Sequence, residues 1–111
     1  FDESQKTIMK NELDRTLEFI EKNIPNGFRK TEGSKTIPKV RFEAISVGTN
    51  LALREKSNLE VEDTKWLDSN EFKKWTTSDA ANNKSKVIGR IEFVRDCLLG
   101  KIDINSLNYG N

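Results

Sequence analysis

Apolar residues recur at helical spacing through most of the chain, and the stretches that break the rhythm divide it into four helices. Met9, Leu13, Thr16, Leu17, Ile20 and Ile24 fall on one arc with Asp14, Glu18, Glu21 and Lys22 across from it, which predicts a first helix from about Asp2 to Ile24. The "PNG" that follows stops it, Pro25 lacking a backbone donor and Gly27 accepting positive φ. "FRKTEGSKTIPK" then reads as an exposed connector rich in basic residues.

The second helix, "KVRFEAISVGTNLALRE", differs in kind. Val40, Ala44, Val47, Gly48 and Leu51 form a stripe that Ile45, Ala52, Phe42 and Leu53 continue, leaving only Glu43, Ser46, Asn50 and Arg54 on a polar side. A helix apolar over most of its circumference is a central one, covered by neighbours. Ala44 and Gly48, four apart, permit close approach of another helix, which offsets the roughly 1 kcal/mol that Gly48 costs in helix propensity. Downstream, Asp68 and Glu71 have capping-box spacing and predict a short third helix from about Ser69, anchored by Trp66, Leu67, Phe72 and Trp75. In the fourth, Val87, Ile91, Val94 and Leu98 make the stripe, Ile88 and Leu99 widen it, and Phe93 with Cys97 give a second apolar side. Gly100 stands where a C-cap glycine belongs, and Ile102, Ile104 and Leu107 are placed to tuck back onto the surface. The pattern therefore predicts an all-α fold: one domain over residues 1–111, a small helical bundle of about four helices with a central, largely apolar second helix.

Composition narrows the function classes. Charged residues are 33% and hydrophobic ones 34%, enough apolar content to fold a single core but not two. A net charge of +1 is not the strong basic footprint of a dedicated nucleic-acid binder, although it leaves room for a local patch. No run approaches the roughly 18 apolar residues of a membrane span, and no signal-peptide pattern opens the chain, so a membrane partner is not expected. A single cysteine, unable to form an internal disulfide, fits a reducing, cytoplasmic setting. The start at Phe1, inside a helix-forming stretch, is expected of the C-terminal part of a longer protein.

Candidate chemistry is sparse. The chain has no histidine, the commonest general base and metal ligand, and it carries no phosphate loop, zinc spacing or nucleophile elbow. No catalytic residue, cofactor or metal is expected, and Cys97 reads as a buried structural thiol. Charges on apolar arcs are more informative. Arg95 falls between Ile88 and Ile91, and Arg41 between Gly48 and Ala52, so both guanidinium groups need carboxylate partners, for which Glu43 and Glu92 are the candidates. The polar run from Thr76 to Asn83 has two readings. Thr77, Ser78 and Asp79, then Asn82 and Asn83, are good helix N-caps. Alternatively Ser78, Asn82, Asn83, Lys84, Lys86 and Arg90 form an anion or nucleic-acid contact at a helix N-terminus. Between Asn82 and Lys101 five basic residues face two acidic ones, and the connector adds Arg29, Lys30, Lys35, Lys39 and Arg41 against Glu32.

"GFRK" at Gly27, "VRFEAISVGTNLALRE" from Val40, "WLDSNEF" from Trp66 and "TTSDAANNKSKVIGRIEFVRDCLLG" from Thr76 resemble the C-terminal region of the GmrSD-type restriction and phage-defence family. The resemblance runs from about Asn23 to Gly100. That family carries a ParB/sulfiredoxin-like N-terminal domain associated with nucleotide hydrolysis or nucleic-acid cleavage, whose catalytic blocks this chain does not contain. The resemblance implies a non-catalytic helical accessory domain of a cytoplasmic bacterial protein. Its expected partners are its own N-terminal catalytic domain or a partner subunit, and DNA or RNA. The alternative is a weak, stand-alone nucleic-acid-binding module.

Overall fold

Small residues decide where the helices of this protein meet. A computed structural model describes residues 3–24, 39–61, 63–76 and 83–110. They form α1 (Glu3–Asn23), α2 (Lys39–Glu55), a 3₁₀ turn (Lys65–Asp68), α3 (Asn70–Thr76), α4 (Lys84–Leu99) and a second 3₁₀ turn (Ile104–Ser106). There is no strand among the described residues; an isolated antiparallel bridge joins Ser69 to Tyr109. The all-α bundle that the periodicity predicts is the fold. The basic connector at residues 25–38 lies outside the described residues.

α2 is the central helix. Ala44, Ile45, Gly48, Thr49, Ala52 and Leu53 are all buried, and its main neighbour is α4. Three contacts fix how the two run. Glu43 faces Arg90, Gly48 touches Val94 and the Ile91 carbonyl, and Glu55 pairs with Lys101 at 2.8 Å. Because both partners advance together along the chain, α2 and α4 are parallel. A parallel pair needs a long return between its members, and the first 3₁₀ turn with α3 supplies it. Gly48 is what lets the pair close: a Cβ there would lie 2.6 Å from Val94 Cβ and 2.8 Å from Ile91 O, nearer than atoms can approach without one backbone moving.

The return path carries its own core. Trp66 and Phe72 are fully buried and meet edge to face, centroids 5.4 Å apart at 86°, and Phe93 of α4 stacks on Phe72 at 6.1 Å. Such pairs add about 0.5–1.5 kcal/mol each beyond their burial. Helix α3 is capped by Ser69, not by the expected Asp68–Glu71 box. The Ser69 hydroxyl accepts from Phe72 N at 3.1 Å and donates to Trp66 O at 2.6 Å. Asp68 is used up as the last residue of the 3₁₀ turn, and the Glu71 carboxylate turns to the C-terminal segment. There it accepts from Asn108 N at 3.0 Å and from Asn108 Nδ2 at 3.0 Å, and the Asn108 backbone donor chiefly holds the Glu71 carboxyl below its ordinary range. Asn70 N donates to Asn108 O at 2.7 Å and Tyr109 Oη to Ile104 O at 2.7 Å, so the segment after α4 is strapped across the start of α3.

α4 is bounded as its sequence suggests. Asn83 is the N-cap, its Oδ1 accepting from Lys86 N at 3.0 Å. At the other end Gly100 adopts φ 76°, ψ 16°, with Gly100 N donating to Cys97 O and Lys101 N to Asp96 O, the paired bonds of a Schellman motif.

α1 packs on α2 over only its second half. Thr16, Ile20 and Ile24 are buried, the Thr16 hydroxyl satisfied by Glu12 O at 2.9 Å. Arg54, in the last turn of α2, pairs with Glu12 in the middle of α1. The helices are therefore antiparallel, and residues 3–11 run past the end of α2 with every position exposed. Met9, Leu13 and Leu17, which share the arc of the buried residues, are exposed to 54%, 52% and 38%.

The parallel contact predicts the effect of Gly48→Ala. Alanine gains about 1 kcal/mol of helix propensity, but overpacking against an immobile backbone oxygen costs up to about 3 kcal/mol. The expected net result is a loss of roughly 2 kcal/mol in a urea melt. Gly89→Ala is the control: its nearest neighbour, at 2.7 Å, is the tip of the Trp75 ring, which can swing aside, so its loss should be much smaller.

Candidate functional site

Two charged regions and one groove are candidates. The first region is the seam between α2 and α4. Arg90, on the same buried face of α4 as Val94 and Cys97, is only 1% exposed, and its Nη1 lies 3.9 Å from Glu43 Oε1. That distance is a charge contact rather than a hydrogen bond. Glu43 keeps 39% of its side chain exposed, so the pair is buried at the arginine end and wet at the other. Arg41 is also buried and lies over the Phe72 ring, 5.3 Å from its centroid. Burial lowers its pKa while Asp68 opposes the shift, and an arginine so placed still carries its charge.

Arg95 departs from the expectation of a buried ion pair. Its Nε donates to Asp96 at 2.8 Å and its Nη2 to Glu92 at 3.3 Å, both within α4, and its side chain is 25% exposed. Asp96 first, then Glu92, raises its pKa. Glu92 thus serves Arg95 on one helix rather than bridging two. Arg90 departs in the opposite sense: expected as a phosphate contact, it is sealed in the seam. Its spacing from Val94 and Cys97, four and seven residues, is that of a buried stripe, and this was the available signal.

The second region is the start of α4. Asn83 is spent as a cap, while Lys84 and Lys86 are exposed. Lys86 Nζ lies 5.7 Å from the centroid of the Trp75 ring, which itself rests on Gly89. Lys73 and Lys74, exposed on α3, immediately precede that tryptophan. Lys86 and a half-buried indole therefore adjoin, an association that sequence spacing does not reveal because the helices differ. Ser78 and Asn82 lie outside the described residues.

A half-open groove of about 570 Å³ runs between the α2–3₁₀ connection and the end of α4. Two basic residues, Lys56 and Lys101, and three acidic ones, Glu60, Asp63 and Asp103, line it, and Cys97 lies in its wall. Burial pushes the Cys97 thiol up to about 12, so it is not a thiolate at neutral pH. Among the described residues no cluster of His, Cys, Asp or Glu is suited to hold a metal ion. No helix among them is long and apolar enough to cross a membrane.

The half-buried Arg90–Glu43 contact predicts an intermediate cost for Glu43→Gln. Exposed pairs are worth under about 1 kcal/mol, and breaking fully buried ones costs about 3–5 kcal/mol. Glu43→Gln should therefore lose about 2 kcal/mol in urea melts, with Glu92→Gln near zero as the comparison.

Comparison of the chain with protein-family models, with curated proteins and with solved structures gives no match.

Proposed function

We propose that this domain is a non-catalytic interaction module that docks on a partner subunit or a catalytic domain through the exposed side of α1. One observation carries the reading. Met9, Leu13 and Leu17 are large apolar side chains, 38% to 54% exposed, on one face of a helix that overhangs α2, its main neighbour among the described residues. Scattered surface leucines need no explanation, whereas a contiguous apolar row on a projecting helix is the form a docking surface takes. The resemblance to the GmrSD-type family supports an accessory role beside a nucleotide-hydrolysing or nucleic-acid-cleaving domain, in a cytoplasmic restriction or defence protein.

The test is site-specific photocrosslinking in cells that make the protein. A photoreactive residue at Met9 should yield a discrete protein adduct, and one at Ser85, exposed at the start of α4 at the opposite end of the bundle, should not. Equal or absent crosslinking from both positions would end the docking reading.

A second reading is favoured by Lys86 lying over the Trp75 ring, with Lys73, Lys74 and Lys84 exposed on the same two helices: the module also contacts nucleic acid. Lysines meet phosphates, and an indole face offers a base something to stack on. Titration of the domain with labelled duplex and single-stranded DNA and RNA at two salt concentrations should show weak binding that falls steeply with salt. Lys84→Gln with Lys86→Gln should weaken it severalfold. Absence of binding at low salt with protein above roughly 10 µM, within the range of non-specific affinities, would remove this reading.

A further inference from the structure

The segment that follows α4 is built as a separate piece. Gly100 and Lys101 still belong to the helix end, tied by its paired backbone bonds and by the contact of Lys101 with Glu55 at 2.8 Å. From Ile102 onward the chain bonds to itself. Asp103 caps the second 3₁₀ turn, its Oδ1 accepting from Asn105 N at 3.0 Å and its carbonyl from Ser106 N at 3.0 Å and Ser106 Oγ at 2.7 Å. Tyr109 Oη donates to Ile104 O at 2.7 Å and closes a loop across the piece. None of residues 102–110 is buried. Ile102, Ile104 and Leu107 are half-buried against the core, and the others are exposed.

What joins this piece to the helices is different in character. The Glu71 carboxylate accepts from Asn108, Asn70 Nδ2 donates to Gly110 O at 2.6 Å, and Lys65 bonds Asn105 while its Nζ lies 5.6 Å from the centroid of the Tyr109 ring. Each of these side-chain bonds is exposed to water. A body with few buried contacts and exposed fastenings gives way before the whole fold does. The aromatic cluster of Trp66, Phe72 and Phe93 contains no residue of the piece, so the core does not need it in place. We infer that residues 102–110 form a flap that swings open as one body from Lys101 while the four helices stay folded. Ile102, Asp103 and Ile104 line the groove of about 570 Å³ together with Leu59 and Val61. The flap is therefore a movable wall, and the groove widens when it leaves.

Amide hydrogen exchange of the purified chain, followed residue by residue by NMR, tests it. Three amides report on the flap: Ser106 N inside it, Asn108 N bonded to Glu71, and Asn70 N of α3, which donates to Asn108 O at 2.7 Å. They should exchange through one shared opening, and faster than the Val94 amide in the middle of α4. Gly48→Ala separates this opening from global unfolding. It should speed exchange at Val94 in proportion to the stability lost in the urea melt, and leave the three flap amides unchanged. Glu71→Ala removes the bond at Asn108, and Lys65→Ala the contacts at Asn105 and Tyr109. Each should nevertheless speed all three flap amides by one common factor, roughly fivefold for the loss of a hydrogen bond. Circular dichroism will show that both variants keep their helices. The inference is overturned if Glu71→Ala speeds Asn108 but not Ser106, which is piecemeal fraying. It is also overturned if Gly48→Ala speeds the flap amides as much as Val94, since they then open only with the whole fold. Flap amides that show no protection in the wild-type chain would overturn it as well.

Discussion

The close approach of α2 to α4 at Gly48 is the constraint on which the remaining arrangement depends. A side chain at that position would meet Val94 and the Ile91 carbonyl, so the two axes can sit as near as they do only with hydrogen there. Once the helices are in register, Glu43 is carried to the level of Arg90 and Glu55 to that of Lys101. The tight seam encloses Arg90, which shares the buried face of α4 with Val94 and Cys97 and brings its Nη1 within 3.9 Å of Glu43. A glycine in the middle of an otherwise strong helix is unfavourable in isolation. Here the contact it permits is the reason for it.

The same parallel pairing obliges the chain to travel back before α4 can begin, and the aromatic cluster is built from that return. Trp66, Phe72 and Phe93 come from three separate elements and lock the 3₁₀ turn and α3 onto α4. The strap of residues 104–110 then ties the start of α3 from outside, with Glu71 and Asn70 as its two fastenings. α1, by contrast, is attached along a single side by Thr16, Ile20 and Ile24, which is why its first half stands free.

How much of this could be read from the sequence follows from what a helical wheel measures. It identifies the apolar side of a helix, and for α2 and α4 it located the Gly100 cap and the close contact at Gly48, although Phe42, Val47 and Ile88 on the same arcs are exposed. It does not say how far the neighbouring helix extends. Met9 and Leu13 share the arc of Ile20, yet α2 ends at Glu55 and leaves them uncovered. Nor does it order two arginines on one helix: Arg95 looked the more enclosed, but the helix presents Arg90 to α2 and Arg95 to its own Glu92 and Asp96. The capping error at α3 has a different origin. Asp68 and Ser69 are both good caps by type, and the 3₁₀ turn ending at Asp68 moves the helix start one residue on. The lysine–tryptophan cluster was illegible because Trp75 and Lys86 belong to different helices, brought together through Gly89.

Because α2 and α4 point the same way, their backbone dipoles add instead of cancelling, and both positive ends emerge at one end of the domain. Neither helix places an acidic residue in its first turn to offset this; Lys39 and Arg41 open one and Lys84 and Lys86 the other. The opposite end, where the negative dipole ends emerge, holds the Arg54–Glu12 and Lys101–Glu55 pairs, charges that neutralise one another locally. α1 runs the other way and offsets part of that dipole, yet the end at which α2 and α4 begin still gathers like charges that a formal charge of only +1 does not reveal.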